Sequence, residues 1–196
     1  MRLLTFPLLA IVLAACQLGS PSTHPVPSVG EIGADLKCQA GDHGYSDIQA
    51  GWEFCYPGTW KYDLRSQPST APPGLDIVFD ITDVPCVTPS VAPGQPTPRP
   101  ICSPNAGLYA VMVISTYERG TASNLSGWLL SNTNPAPKSV DSINWGNADE
   151  AGRLPDGRRI ALTPHHVVIL DLRSGAGLLD LESPTSSRLS TWKFTF

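Results

Sequence analysis

In Gly51-Trp52-Glu53-Phe54-Cys55-Tyr56-Pro57-Gly58-Thr59-Trp60-Lys61-Tyr62, every second residue from Trp52 to Tyr56 is aromatic. A period of two puts those three rings on one face of a short strand. Pro57-Gly58 breaks the strand in a tight turn, and Trp60 and Tyr62 resume the alternation beyond it. The pattern predicts a hairpin or sharp corner packed around an aromatic core. Its alternative use is a platform on which Trp52, Phe54, Tyr56, Trp60 and Tyr62 stack a ligand or a partner.

Downstream, Leu75, Ile77, Phe79 and Ile81 share one face of a strand, while Asp76 and Asp80 share the other. Such alternation marks a half-buried antiparallel strand. Residues 107–117 are apolar on nearly every side and rich in β-branched types, which predicts a central strand with helices over at least one face. Leu125, Trp128 and Leu129 recur at helical spacing, so residues 121–130 are expected to form a short amphipathic helix. Asn134-Pro135-Ala136-Pro137 is a loop. Leu154-Pro155-Asp156-Gly157 is a turn joining hairpin arms at 143–154 and 158–162, and residues 165–172 form the next strand.

Upstream, Arg2 precedes a thirteen-residue apolar run, residues 3–15, interrupted only by Thr5 and Pro7. A membrane-spanning helix needs about 20 such residues, so the run is too short to remain in a bilayer. It closes on Leu13-Ala14-Ala15-Cys16, which resembles the signal and lipobox of bacterial lipoproteins. The resemblance implies that residues 1–15 are removed and that Cys16 then carries the membrane anchor, a thioether-linked diacylglyceryl group and an amide-linked acyl chain such as palmitate. Two or more chains give stable anchoring, at about 0.8 kcal/mol per buried methylene. It further implies residence on the extracytoplasmic side of the cell membrane or the outer membrane. Gln17 is not the aspartate associated with retention at the inner membrane.

Residues 16–37 are rich in serine, proline and glycine and predict a flexible tether, leaving 38–196 as a single globular domain. The mature chain has 196 − 15 = 181 residues, enough for one well-buried core. Losing Arg2 leaves 12 basic against 17 acidic side chains, a net charge of −5 with no basic cluster. Nucleic-acid binding, which relies on lysine and arginine patches, is excluded on that ground.

Five cysteines less Cys16 leave four, an even number suited to bridges in an oxidising compartment. Of the three pairings open to them, Cys38–Cys55 with Cys86–Cys102 is expected because both bridges are local. The second would clip the base of a proline-rich loop, 86–102, and contribute about 3 kcal/mol through loop entropy.

An aromatic strand ending in Tyr-Pro-x-x-Trp near the start of a domain resembles the PsbP-type family, which includes extrinsic photosystem subunits and bacterial envelope lipoproteins. The motif falls on Phe54, Tyr56, Pro57 and Trp60, and the family's closing helix and strand would fall on Leu189-Ser190-Thr191-Trp192-Lys193-Phe194. The resemblance implies an α/β (α+β) fold: an antiparallel β-sheet flanked by helices in an α-β-α sandwich. It also implies a role in assembling or stabilising a larger complex.

Little in the chain suggests catalysis. No Gly-x-Ser-x-Gly elbow, His-Glu-x-x-His pair or phosphate-cradling glycine loop is present. Asp149 and Glu150 are adjacent and would face apart on a strand, as would His165 and His166, the only candidates for metal ligation. The expectation is therefore a non-catalytic, cofactor-free envelope lipoprotein that binds a partner. The alternatives are a cell-surface hydrolase or metal enzyme built around His165 and His166, or a small-ligand carrier with an apolar pocket.

Overall fold

The computed structural model describes residues 36–196 except 71, 84–85, 88–93, 97–100, 103–106, 175 and 196, with backbone pairing alone at 86, 87, 101 and 102. The strands are β1 (Asp42–Asp47), β2 (Trp52–Pro57), β3 (Trp60–Thr70), β4 (Pro73–Asp83), β5 (Cys86–Val87), β6 (Ile101–Cys102) and β7 (Tyr109–Glu118). Helix α1 (Leu125–Asn132) leads to β8 (Asp141–Ser142), β9 (Glu150–Arg153), β10 (Arg159–Leu162) and β11 (His166–Arg173). Helix α2 (Glu182–Ser186), a 3-10 turn (Leu189–Thr191) and β12 (Lys193–Phe194) follow. The described residues belong to one unit, Glu31–Phe196.

The main sheet has seven strands in the order β3-β4-β7-β11-β10-β9-β8, and a smaller one has the order β1-β2-β12. All their pairings are antiparallel. This corrects the expected α-β-α sandwich. Among the described residues strands make up 46% against 12% helix, and α1 is the one helix of seven or more residues. A strand pattern of period two announces a buried face without saying what buries it. Here the cover on one side of the main sheet is a second sheet, not a helical layer. The C-terminal stretch cannot supply that layer: α2 is five residues long and contains Pro184.

The expected hairpin or corner at Pro57-Gly58 is a corner: β2 pairs with β1 and β12 while β3 pairs with β4. The chain passes there from the small sheet to the large one, and the aromatics fill the space between the sheets. Trp52, Phe54, Phe79, Ile81, Met112, Ile114, Leu170 and Trp192 are buried in one cluster. Phe54 and Trp192 stack with centroids 4.6 Å apart, a pair worth about 0.5–1.5 kcal/mol beyond its area. The Trp52 indole N–H donates to Thr116 Oγ1 at 3.0 Å, joining β2 to the main sheet without leaving a buried donor unpaired. Cys38 is bonded to Cys55, with Cα atoms 5.5 Å apart, so the segment before β1 is tied to β2.

On the other face of the main sheet, Leu125, Trp128 and Leu129 of α1 pack on Ile160, Leu162, Val167 and Ile169. The helix begins later than its pattern suggested because Asn124 caps it, accepting from the Gly127 N–H at 2.7 Å. Its first turn has no acidic residue of its own. Glu150 from β9 supplies one, with Oε2 accepting from the Leu125 N–H at 2.6 Å.

Cys16 and most of the tether lie outside the described residues, as does most of the 86–102 loop. At its base, β5 and β6 pair with Cys86 directly opposite Cys102. Among the described residues no helix is long and apolar enough to cross a membrane.

Candidate functional site

The five aromatics nominated from sequence do not form one open surface. Trp52, Phe54 and Trp60 are buried, and Tyr56 and Tyr62 are half-buried with rings 5.6 Å apart. Burial pushes the Tyr56 hydroxyl up to about 12, with Tyr62 adding to the effect. Tyr45 beside them is pushed up to about 12 by burial and then by the Asp47 carboxylate. These rings mainly fill the core.

His165 and His166 diverge. His165 is exposed, and its carbonyl accepts from the Arg119 N–H at 3.0 Å. His166 opens β11 opposite Glu118, with Nε2 3.8 Å from Oε1. Among the described residues no three His, Cys, Asp or Glu side chains converge as a metal site would require.

Among the described residues, concave regions border α1 at its N-terminal end, along Gly127, Trp128, Ser131 and Asn132, and at its C-terminal end. A cleft of about 490 Å³ at its N-terminal end is lined by Ser126, Ser142, Asn144, Asp149 and Glu150. Its carboxylates already hold the fold together: Asp149 accepts from Arg119 Nη1 at 2.8 Å, and Glu150 caps α1. Arg119 also donates to the carbonyls of Ala122 and Thr163 at 2.8 and 2.7 Å, so that side chain is a clamp between loops.

The region at the C-terminal end of α1 is different. Its volume is about 580 Å³, and Leu129, Pro135, Pro137, Leu154, Pro155 and Ile169 line it. Three elements position these residues. The helix ends cleanly because Thr133 donates from both its N–H and its Oγ1 to the Leu129 carbonyl, at 2.9 and 2.7 Å. The chain then leaves through the proline loop that forms one wall. The turn between β9 and β10 forms the opposite wall, closed by Gly157 N–H on the Leu154 carbonyl at 2.9 Å. Gly157 sits at φ +91°, a conformation side-chain-bearing residues rarely adopt.

No family model, curated protein or solved structure matches this chain.

The rim of this groove carries three charges, Lys138, Asp156 and Arg158. Arg158 Nε and N–H both bond the Asp156 carboxylate, at 2.8 and 3.1 Å. That partnership holds Asp156 below the usual carboxylate range and Arg158 above its own. Lys138 is exposed and forms no ion pair among the described residues. An apolar floor with a few polar groups at its mouth is the composition of a binding site. Both walls were read from sequence as a loop and a turn; that they face each other across Leu129 and Ile169 was not. The cluster of Pro135, Pro137 and Pro155 was the signal present, since proline walls are stiff and apolar.

Proposed function

We propose that this chain is a lipid-anchored protein of the bacterial cell envelope that acts by binding a partner non-covalently, using the groove beside α1. The groove carries this reading: Pro135, Pro137 and Pro155 stand as stiff apolar walls over a floor made by the core residues Leu129, Leu154 and Ile169, with charges at the mouth. The lipobox-like Leu13-Ala14-Ala15-Cys16 supports the anchor. The Cys38–Cys55 bridge supports an oxidising compartment, where such bridges persist. A second reading, a carrier of small apolar molecules, is favoured by the groove's volume, which lies in the ~300–1,000 Å³ range of small-molecule sites.

The test has two arms. Cys16→Ala should move the protein from the membrane to the soluble fraction, and persistence in the membrane removes the anchor. Ala136→Arg, at the half-buried groove wall, should abolish co-purification of an envelope partner with the acylated protein at unchanged thermal stability. Calorimetric binding of dodecanoate lost in the same variant selects the carrier reading. Unaltered binding of both removes the groove.

A further inference from the structure

Among the described residues strand β3 is one outer edge of the seven-stranded sheet. It runs eleven residues, and positions 63–68 are all exposed. A long edge displays unpaired backbone groups that will accept another strand unless something blunts them. The neighbouring ladder shows which groups those are. The Asp83 N–H of β4 donates to the Leu108 carbonyl, in register with the β4–β7 pairing. Odd-numbered residues of β4 therefore turn their backbone groups to β7, and even-numbered ones turn theirs to β3. Because Val78 pairs with Arg65 and Asp80 with Asp63, the odd residues of β3 point inward. Tyr62, Leu64, Ser66 and Pro68 point outward. Pro68 agrees with this assignment, since at an outward position its missing N–H removes nothing from the β3–β4 ladder.

The side chains along this edge are unbalanced in the single chain. Asp63 lies directly opposite Asp80, and like charges so placed repel. Arg65 bonds Asp80 at 2.9 Å, whereas Asp63 has no ion pair among the described residues. On the opposite face of the strand Leu64 is 48% exposed.

We propose that β3 is a self-association edge, with two copies pairing antiparallel about a two-fold axis through Leu64. In that register Leu64 meets the partner subunit's Leu64, and Tyr62 meets the partner subunit's Ser66. Asp63 meets the partner subunit's Arg65, on the side away from Asp80. Three outward pairs with two bonds each give roughly six backbone hydrogen bonds. The exposed leucines cover each other, and each Asp63 gains the cation it lacks. Pro68 ends the ladder, because the next outward pair would need its N–H. The second copy is favoured over an unrelated strand because one register satisfies the backbone parity, the charges and the apolar side chain together.

Cysteine cross-linking in membranes bearing the full chain tests the register. Outward pairs have Cα atoms about 5.5 Å apart, inside the ~4.4–6.8 Å that a disulfide spans. Leu64→Cys should give a covalent dimer on mild oxidation. Gln67→Cys, about 20 Å from its copy at ~3.3 Å per residue, should remain monomeric. Leu64→Pro should halve the apparent mass of the detergent-solubilised protein at unchanged melting temperature, because the N–H it deletes faces outward. Asp63→Arg should do the same, and adding Arg65→Asp should restore the dimer. A wild-type monomer at tens of micromolar, equal cross-linking at 64 and 67, or a dimer indifferent to both Leu64→Pro and Asp63→Arg overturns the proposal.

Discussion

Replacing Arg188 by Met should unfold this protein at markedly lower denaturant. Arg188 Nε and Nη2 donate to Asp42 Oδ2 and Oδ1 at 2.6 and 2.7 Å, and Nη1 donates to the Pro184 carbonyl at 2.9 Å. The two side chains are 13% and 5% exposed. Methionine keeps the apolar stem and removes the fork, stranding the Asp42 carboxylate where water scarcely reaches it. Breaking a buried pair from one side costs about 3–5 kcal/mol, against a total stability of about 5–15 kcal/mol for a domain. At about 2–4 °C per kcal/mol for a chain of this size, the melting temperature should fall by roughly 6–20 °C. Urea unfolding at pH 7 followed by tryptophan fluorescence gives the free energy directly, since Trp52, Trp128, Trp145 and Trp192 are all buried. Adding Asp42→Asn to Arg188→Met should recover part of the loss, because the stranded charge is then gone. A loss below about 1 kcal/mol for Arg188→Met refutes the reasoning, for it would place the carboxylate in water. The position matters because Asp42 begins β1, just after the tether, and Arg188 belongs to the closing segment. The pair fastens together the two ends of the described chain.

Two further outcomes can be checked separately. Tyr45 and Tyr56 ionise near 12 in the folded protein and near 10 when unfolded, so the stabilisation is whole below pH 10 and drains away between pH 10 and 12. Absorbance at 295 nm should show two tyrosines, lost in the Tyr45→Phe, Tyr56→Phe variant, rising only near pH 12 or on unfolding; those two ionising near pH 10 in folded protein contradicts their burial. Mass mapping without reduction should find Cys86 joined to Cys102, as the opposed backbone positions in β5 and β6 allow. Free thiols at both positions would leave the proline-rich loop unclipped.

Local periodicity made much of the chain legible. The alternating aromatics in β2, the apolar face of β4, the run in β7, the spacing of Leu125, Trp128 and Leu129 and the Pro-Asp-Gly turn each became the element they announced, within a few residues. The link between Cys38 and Cys55 was equally readable, because short separation favours closure. Most of β3 was not readable. Beyond Tyr62 it runs through Asp63, Arg65, Gln67 and Pro68, a polar stretch with no buried face to leave a pattern. Its strand state comes from the ladder with β4, so it depends on a neighbour and not on its own residues.

Amino-acid order alone therefore determined where β2, β4, β7, β11, the helix and the bridge to β2 would form, and the lipobox-like Leu13-Ala14-Ala15-Cys16 is the ground for the proposed anchor. Tertiary structure decided what those elements bury. Period two requires that one face of a strand be covered but is silent about the cover, so helices and a second sheet satisfy it equally. Only packing showed that the small sheet, not a helical layer, takes the aromatic face. The groove is of the same kind. Leu129, Pro135, Leu154 and Ile169 come from four separate segments, and their juxtaposition is a product of long-range contacts that no local pattern encodes.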